Sequence, residues 1–191
     1  VCAMAGLVAT VSPERIAAET EAMLVGGHSR PAFEMLRNSG LLAHILPEVD
    51  ALAGVQQPPD VNPEGDVWEH TLLLLHMNDE TVRGYIIPTD LSAVQDIDPK
   101  RGMETGSFTA AQYAAAVRDC RGEMTEADGA TLAWSGLLHD IGKPGTLTRE
   151  DRIRFNNHDL LGAEMAVAVL ERLKRSRRTV EGTYDLIRRH I

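Results

Sequence analysis

The sequence predicts an all-α protein with no more than one small β-hairpin. Apolar residues recur at three- and four-residue spacing along most of the 191 residues. Helix-start signals stand ahead of several of these stretches, as at Ser12-Pro13 and at Thr125-Glu126-Ala127-Asp128. Only residues 146–155 alternate with a period of two, around a polar tip, and these predict the hairpin.

In chain order, Ser12 caps a first helix with Pro13 at its first position. Ile16, Ala17, Met23 and Leu24 give that helix its apolar face, and Gly26-Gly27 end it. A second helix over about 31–38 buries Phe33 and Leu36. Leu41, Leu42, Ile45 and Leu46 form a third, closed by Pro47. Residues 55–65 are rich in Pro and Gly and read as a loop, placing a boundary between subdomains 1–55 and 56–191. Val67 to about Glu80 is a helix carrying His70, and 84–107 reads as an irregular excursion. Thr109-Ala110-Ala111-Gln112 and Thr125 to Asp128 start two more helices. The second of these runs to about Ile141 with Ala130, Trp134, Leu137, Leu138 and Ile141 on one face. Residues 159–173 are apolar on most sides and predict a central helix. A last helix over about 179–191 carries Val180, Tyr184, Ile187 and Ile191, with His190 at its end on the buried side.

Composition narrows the function classes. Hydrophobic content of 43% and charged content of 25% are ordinary for a globular protein. No apolar run approaches the roughly 20 residues that cross a bilayer. The start, Val1-Cys2-Ala3-Met4-Ala5-Gly6, lacks the basic flank of a signal peptide, and without an initiator Met it reads as the start of an excised piece. Cys2 and Cys120 cannot form a disulfide framework, which points to a reducing, cytoplasmic setting. The net charge of −9 is uneven: residues 143–191 hold 11 Lys/Arg against 7 Asp/Glu, whereas 1–142 hold 8 against 21. An acidic protein is a poor nonspecific nucleic-acid ligand, because phosphate contacts need cations. The run Lys174, Arg175, Arg177, Arg178 reads equally as a solvated helix end or as a local phosphate-binding surface.

The most informative segment is Leu137-Leu138-His139-Asp140-Ile141-Gly142-Lys143-Pro144. An imidazole and a carboxylate at the end of an apolar helical run are costly to bury, and a divalent metal ion compensates both. His70, His158 and His190 sit in further helical segments. Four imidazoles and one carboxylate form a mixed N/O set, open to Mn, Fe, Ni, Co, Zn or Mg, with Asp140 able to bridge two ions. His28, His44 and His76 read as ordinary core or surface histidines. Asp96-Ile97-Asp98 reads as solvated loop carboxylates.

The string His139-Asp140-Ile141-Gly142 resembles the signature of the HD superfamily of metal-dependent phosphohydrolases, which are all-helical. The resemblance implies an ordered ligand set. His70, in Val67-Trp68-Glu69-His70-Thr71, is similar to its first His, and His139-Asp140 to its central pair. His158 and His190 are similar to its further histidines. Asp140 would act in catalysis, and Lys143 resembles a lysine that some members turn towards the substrate phosphate. A narrower resemblance covers nearly the whole chain. Val11-Ser12-Pro13-Glu14-Arg15-Ile16, then Leu41-Leu42 to Ile45-Leu46-Pro47-Glu48, then Pro63-Glu64-Gly65-Asp66 through Thr71, is similar to bacterial tRNA nucleotidyltransferase/poly(A) polymerase proteins. It implies a helical neck over 1–55 followed by an HD-type domain over 56–191. The implied activity is that of a phosphodiesterase or phosphatase, with metal-activated water attacking a phosphoester or nucleotide. Its alternative is a tRNA-binding body with a structural or vestigial metal site. The family's catalytic head, with its Gly-Ser and Asp-x-Asp motifs, has no counterpart here, so nucleotidyl transfer is not expected of this chain. Asn62 stands where the family usually has His. The superfamily's final Asp has no counterpart after His190, which would leave the first metal position one ligand short.

Overall fold

The computed structural model describes residues 2–58, 63, 65–83, 125–149 and 151–190. The excursion over 84–107, Asp96-Ile97-Asp98 and the helix start at Thr109–Gln112 lie outside these residues. A 3-10 helix, Cys2–Thr10, comes first, then α1 (Pro13–Val25), α2 (Ser29–Asn38), α3 (Leu42–Ile45), α4 (Pro47–Asp50) and α5 (Val67–Arg83). These are followed by α6 (Glu126–Leu138), α7 (Lys143–Thr146), β1 (Leu147–Arg149), β2 (Ile153–Phe155), α8 (His158–Arg172) and α9 (Arg177–Arg188). The all-α expectation and the single hairpin both hold. β1 and β2 are antiparallel, with Leu147 opposite Phe155 and Arg149 opposite Ile153.

The helix starts follow their side chains. Ser12 accepts the Arg15 N–H ahead of Pro13, and Ser176 accepts the Thr179 N–H at the start of α9. Thr125 and Asp128 cap α6 reciprocally, so Asp serves where Glu is usual. His28 gives α2 no side-chain cap. The buried carboxylate of Asp79, on α5, caps α2 instead, accepting from the Ser29 N–H (2.9 Å), the Ser29 hydroxyl (2.8 Å) and the Arg30 N–H (3.2 Å). Charge at that helix N-terminus is favourable, and the bond pins α2 against α5.

Two helix ends differ from the sequence expectation. α6 stops at Leu138, and 139–142 form turns closed by three-residue bonds such as Lys143 N–H to Asp140 C=O (2.9 Å). Pro144 explains this: a continuing helix would drive its ring into the Asp140 carbonyl. α9 ends at Arg188, so His190 lies beyond the helix, in a tightened last turn with Arg189 N–H on Leu186 C=O (3.2 Å). α8 is also less central than its composition suggests: Leu160 is exposed, and Gly162, Ala163, Ala166, Val169 and Leu170 form one buried face.

α6 is the central element, packed against α1, α5 and α9, with Trp134, Leu137 and Leu138 fully buried. A single apolar cluster runs from Leu24 and Phe33 through Leu46 and Leu52 to Leu72, Trp134, Ile141 and Leu170. Polar ties cross it. Glu21 on α1 accepts from the Trp134 indole (2.8 Å) and pairs with Arg175 (2.5 Å). Glu48 makes a two-pronged pair with Arg172 (2.6 and 2.9 Å). In the basic run after α8, the partly buried Arg175 pairs with Glu21, whereas the exposed Arg177 and Arg178 pair with Glu181 and Asp128 at the surface. Among the described residues, no helix is long and apolar enough to cross a membrane.

Candidate metal centre

Five side chains from four places in the chain meet at Asp140. His70 comes from the first turn of α5, His139 and Asp140 from the turn after α6, His158 from the first residue of α8, and His190 from just past α9. Asp66 fixes the start of α5 by accepting the Glu69 N–H (2.9 Å) with one carboxylate oxygen and the Gly54 N–H (2.6 Å) with the other. Asn157, in the left-handed conformation at φ 61°, makes the sharp entry into α8; Asn tolerates that region better than most residues. Asp159 pairs with Arg188, tying the start of α8 to the end of α9 and so His158 to His190.

The Asp140 carboxylate is almost fully buried and divides the imidazoles into two pairs. His139 Nε2 (3.0 Å) and His70 Nε2 (3.8 Å) face its Oδ2. His158 Nε2 (3.7 Å) and His190 Nε2 (3.8 Å) face its Oδ1. Neighbouring rings stand 5.2–5.5 Å apart between centroids. Two groups able to hold a metal ion therefore share one carboxylate: His70, His139 and Asp140, and Asp140, His158 and His190. His28, His44 and His76 belong to neither.

The tautomers follow from the backbone. His139 Nδ1 lies 2.9 Å from the Gly136 carbonyl, His158 Nδ1 2.7 Å from that of Phe155, and His190 Nδ1 2.5 Å from that of Ile187. A carbonyl only accepts, so each Nδ1 carries a proton, and each ring in its neutral form turns an Nε2 lone pair toward Asp140. This outer-atom bond is the usual device for orienting a ligating histidine. A lone pair 3.0 Å from a carboxylate oxygen is repulsive unless a cation lies by both. Among the described residues, His139 Nε2 is buried without a hydrogen-bond partner, and Asp140 Oδ2 is buried with an ion pair to Lys143 (2.8 Å) but no hydrogen bond. The donor set and the unpartnered His139 Nε2 facing Asp140 fit a divalent cation.

Burial raises the Asp140 carboxyl, but close polar contacts with His139 and His190 and the charge of Lys143 outweigh it and hold the group far below the carboxylate range. Burial lowers the His158 imidazole, which favours the neutral ligating form. Contact with Asp140 raises His190, which favours its charged form until a cation by the carboxylate takes the place of that proton.

Lys143, the other expected functional residue, is buried at the same place. Its Nζ lies 2.8 Å from Asp140 Oδ2, 2.7 Å from Gln57 Oε1 and 5.3 Å above the Phe155 ring. Gln57 and the Asp159–Arg188 pair were not legible as site residues. Gln57 lies in a loop 86 positions from its partner, and nothing local marks it.

Two family models match the chain. "Probable RNA and SrmB- binding site of polymerase A" covers residues 1–52, and "HD domain" covers residues 106–191. His70 thus reaches the centre from outside the matched HD stretch. Among curated proteins, the "Multifunctional CCA protein" of Halorhodospira halophila is 33% identical over 174 residues, 91% of this chain and 31% of that protein. The protein of that name from Acinetobacter baumannii is 46% identical over 65 residues, 34% of this chain and 16% of its own length. Its counterpart from Alkalilimnicola ehrlichii is 44% identical over 70 residues, 37% of this chain and 17% of its own. The chain spans less than a third of the length of these relatives. Through both matched segments, in this order, the chain belongs to the tRNA nucleotidyltransferase/poly(A) polymerase-like family, of which it carries the neck and HD-domain portion.

Proposed function

We propose that the chain is a metal-dependent phosphohydrolase module acting on phosphoesters of the nucleotide type, in a cytoplasmic setting. One observation carries the reading: a single buried carboxylate is shared by two pairs of imidazoles whose lone pairs are aimed at it. His70, His139, Asp140, His158 and His190 would hold one or two divalent ions, and the protein's further catalytic group is Lys143. The chemistry such ions supply is acidification of water and polarisation of a phosphoester. The chain's own part is fixed by its geometry. The backbone carbonyls of Gly136, Phe155 and Ile187 keep Nδ1 protonated and Nε2 available. Asp140 keeps its charge despite burial, and the Lys143 ammonium offers a positive charge to a phosphoryl oxygen beside the centre. In this reading 1–55 is the neck and 56–191 the HD-type module. With bis-p-nitrophenyl phosphate and 2′,3′-cyclic nucleotides, turnover is expected to appear on adding Mn, Ni or Co and to vanish with chelator. Background rates under every metal would end the hydrolase reading.

A second reading is favoured by the match of residues 1–52 to an RNA-binding segment: a tRNA-binding body with a structural metal site. It predicts tRNA binding that weakens steeply with salt and is unaffected by Asp140→Ala, measured by filter binding. The arginines engaged by Glu21, Glu48, Asp128 and Asp159 leave the last quarter less cationic than its composition, so binding through 1–55 is the form of this reading to test.

A further inference from the structure

Gln57 is a neutral side chain, 5% exposed, reaching into the centre from the loop between α4 and α5. That loop is anchored at its base. Val67 N–H bonds to Val55 C=O (3.0 Å), and Asp66 clasps Gly54 (2.6 Å), so residues 54–58 are strapped to the start of α5, the helix that carries His70. From this strap the Gln57 amide oxygen accepts the Lys143 ammonium at 2.7 Å. The backbone places Lys143 just as firmly, through its N–H on Asp140 C=O and its position at the first residue of α7.

We infer that Gln57 is a positioning residue that holds the Lys143 ammonium in its place between Asp140 and the Phe155 ring. The chemistry of the pair explains an amide here. A lysine side chain has many rotamers, so an unheld ammonium presents no fixed target to a ligand. A carboxylate at position 57 would hold it but neutralise it, and an apolar residue would leave it to fold onto Asp140. The amide oxygen fixes direction and leaves the charge. An ammonium has three N–H groups. Among the described residues Gln57 Oε1 accepts one and Asp140 Oδ2 pairs with the ammonium at 2.8 Å, so a further N–H serves an incoming anion. The role of that further donor rests on the phosphoester reading above, whereas the holding of Lys143 does not.

The test uses the full chain with Gln57→Leu, Gln57→Glu, Lys143→Met and the double variant Gln57→Leu/Lys143→Met. First, acetylation of Lys143 by a water-soluble acylating reagent is followed by peptide mass spectrometry on metal-free protein, with the exposed Lys174 as reference. Gln57→Leu is expected to speed labelling of Lys143 about tenfold with Lys174 unchanged, and Gln57→Glu, which keeps the acceptor, to restore protection. Second, binding of inorganic phosphate to Mn-loaded protein is measured by calorimetry. Gln57→Leu and Gln57→Glu each weaken it about tenfold, the second by neutralising the charge it holds in place. Gln57→Leu has no further effect in the Lys143→Met background, which a merely structural loss would not produce. Unchanged labelling in Gln57→Leu, or an equal loss of phosphate affinity with and without Lys143, overturns the inference. If wild type takes no phosphate, the phosphoester reading falls, and the labelling arm still decides for or against Gln57.

Discussion

Replacing Asp140 with alanine is expected to abolish divalent-metal binding by the folded chain and to lower any metal-dependent turnover by about three orders of magnitude or more. The size follows from its place in the centre. Each histidine belongs to one group, but Asp140 belongs to both, so its loss leaves two imidazoles on either side with no shared charge between them. It also leaves the Lys143 ammonium, 2.8 Å away, in a nearly closed site without its counter-ion, which repels a second cation. The measurement is thermal unfolding with and without Mn. At a hundredfold excess over Kd, a ligand bound only by the native state stabilises it by about 2.7 kcal/mol, a rise of roughly 5–10 °C for a chain of this size. Wild type should show this rise and Asp140→Ala none, with its metal-free melting point serving as the fold control. His158→Ala, which empties one group only, should keep part of the rise. An Asp140→Ala variant that binds and responds to Mn like wild type would show that the shared carboxylate is not the hub.

The fold class and the centre were legible because each rests on local signals. The apolar residues spaced along α6, Ser12 ahead of Pro13, and the Thr125–Asp128 box are local signals. The five candidate ligands were found because His and Asp are conspicuous at the ends of apolar runs. What was not legible depends on tertiary placement. The turn over 139–142 needs Pro144 to be read backwards into the residues ahead of it, and the end of α9 was placed too late because Ile187 and Ile191 keep helical spacing past the true stop. The cap on α2 comes from Asp79, 50 positions away, and the hold on Lys143 from Gln57, 86 positions away. No periodicity marks such partners: a buried Asp in the middle of α5 or a Gln in a loop is indistinguishable in sequence from a solvated one. The pairing of Arg175 and Arg178 was hidden for the same reason, since their acidic partners lie on α1 and at the start of α6, whereas the Arg177–Glu181 pair is local to α9.

The glycine of the His139-Asp140-Ile141-Gly142 string has a steric cause that yields the second large effect. The 139–142 turn presses directly on the first turn of α8, and a Cβ on Gly142 would stand 2.2 Å from the His158 carbonyl oxygen and 2.6 Å from the Gly162 nitrogen. Both are backbone atoms, so no side-chain rotation relieves the clash; the turn and the helix must separate. Gly142→Ala is therefore expected to cost about 3 kcal/mol, the upper end for overpacking, and to lower the melting point by roughly 6–12 °C. The separation moves His158, which opens α8, away from Asp140, so metal affinity should fall along with stability. Gly145→Ala is the matched comparison. Its added Cβ meets only the Leu161 side-chain terminus at 2.9 Å, a group that can rotate aside, and its cost should be well under half as large. Calorimetric melting of both variants, with Mn titrations on each, separates the two effects. If Gly142→Ala melts and binds Mn like wild type, the close approach of turn and helix does not set the geometry of the centre, and the glycine needs another explanation.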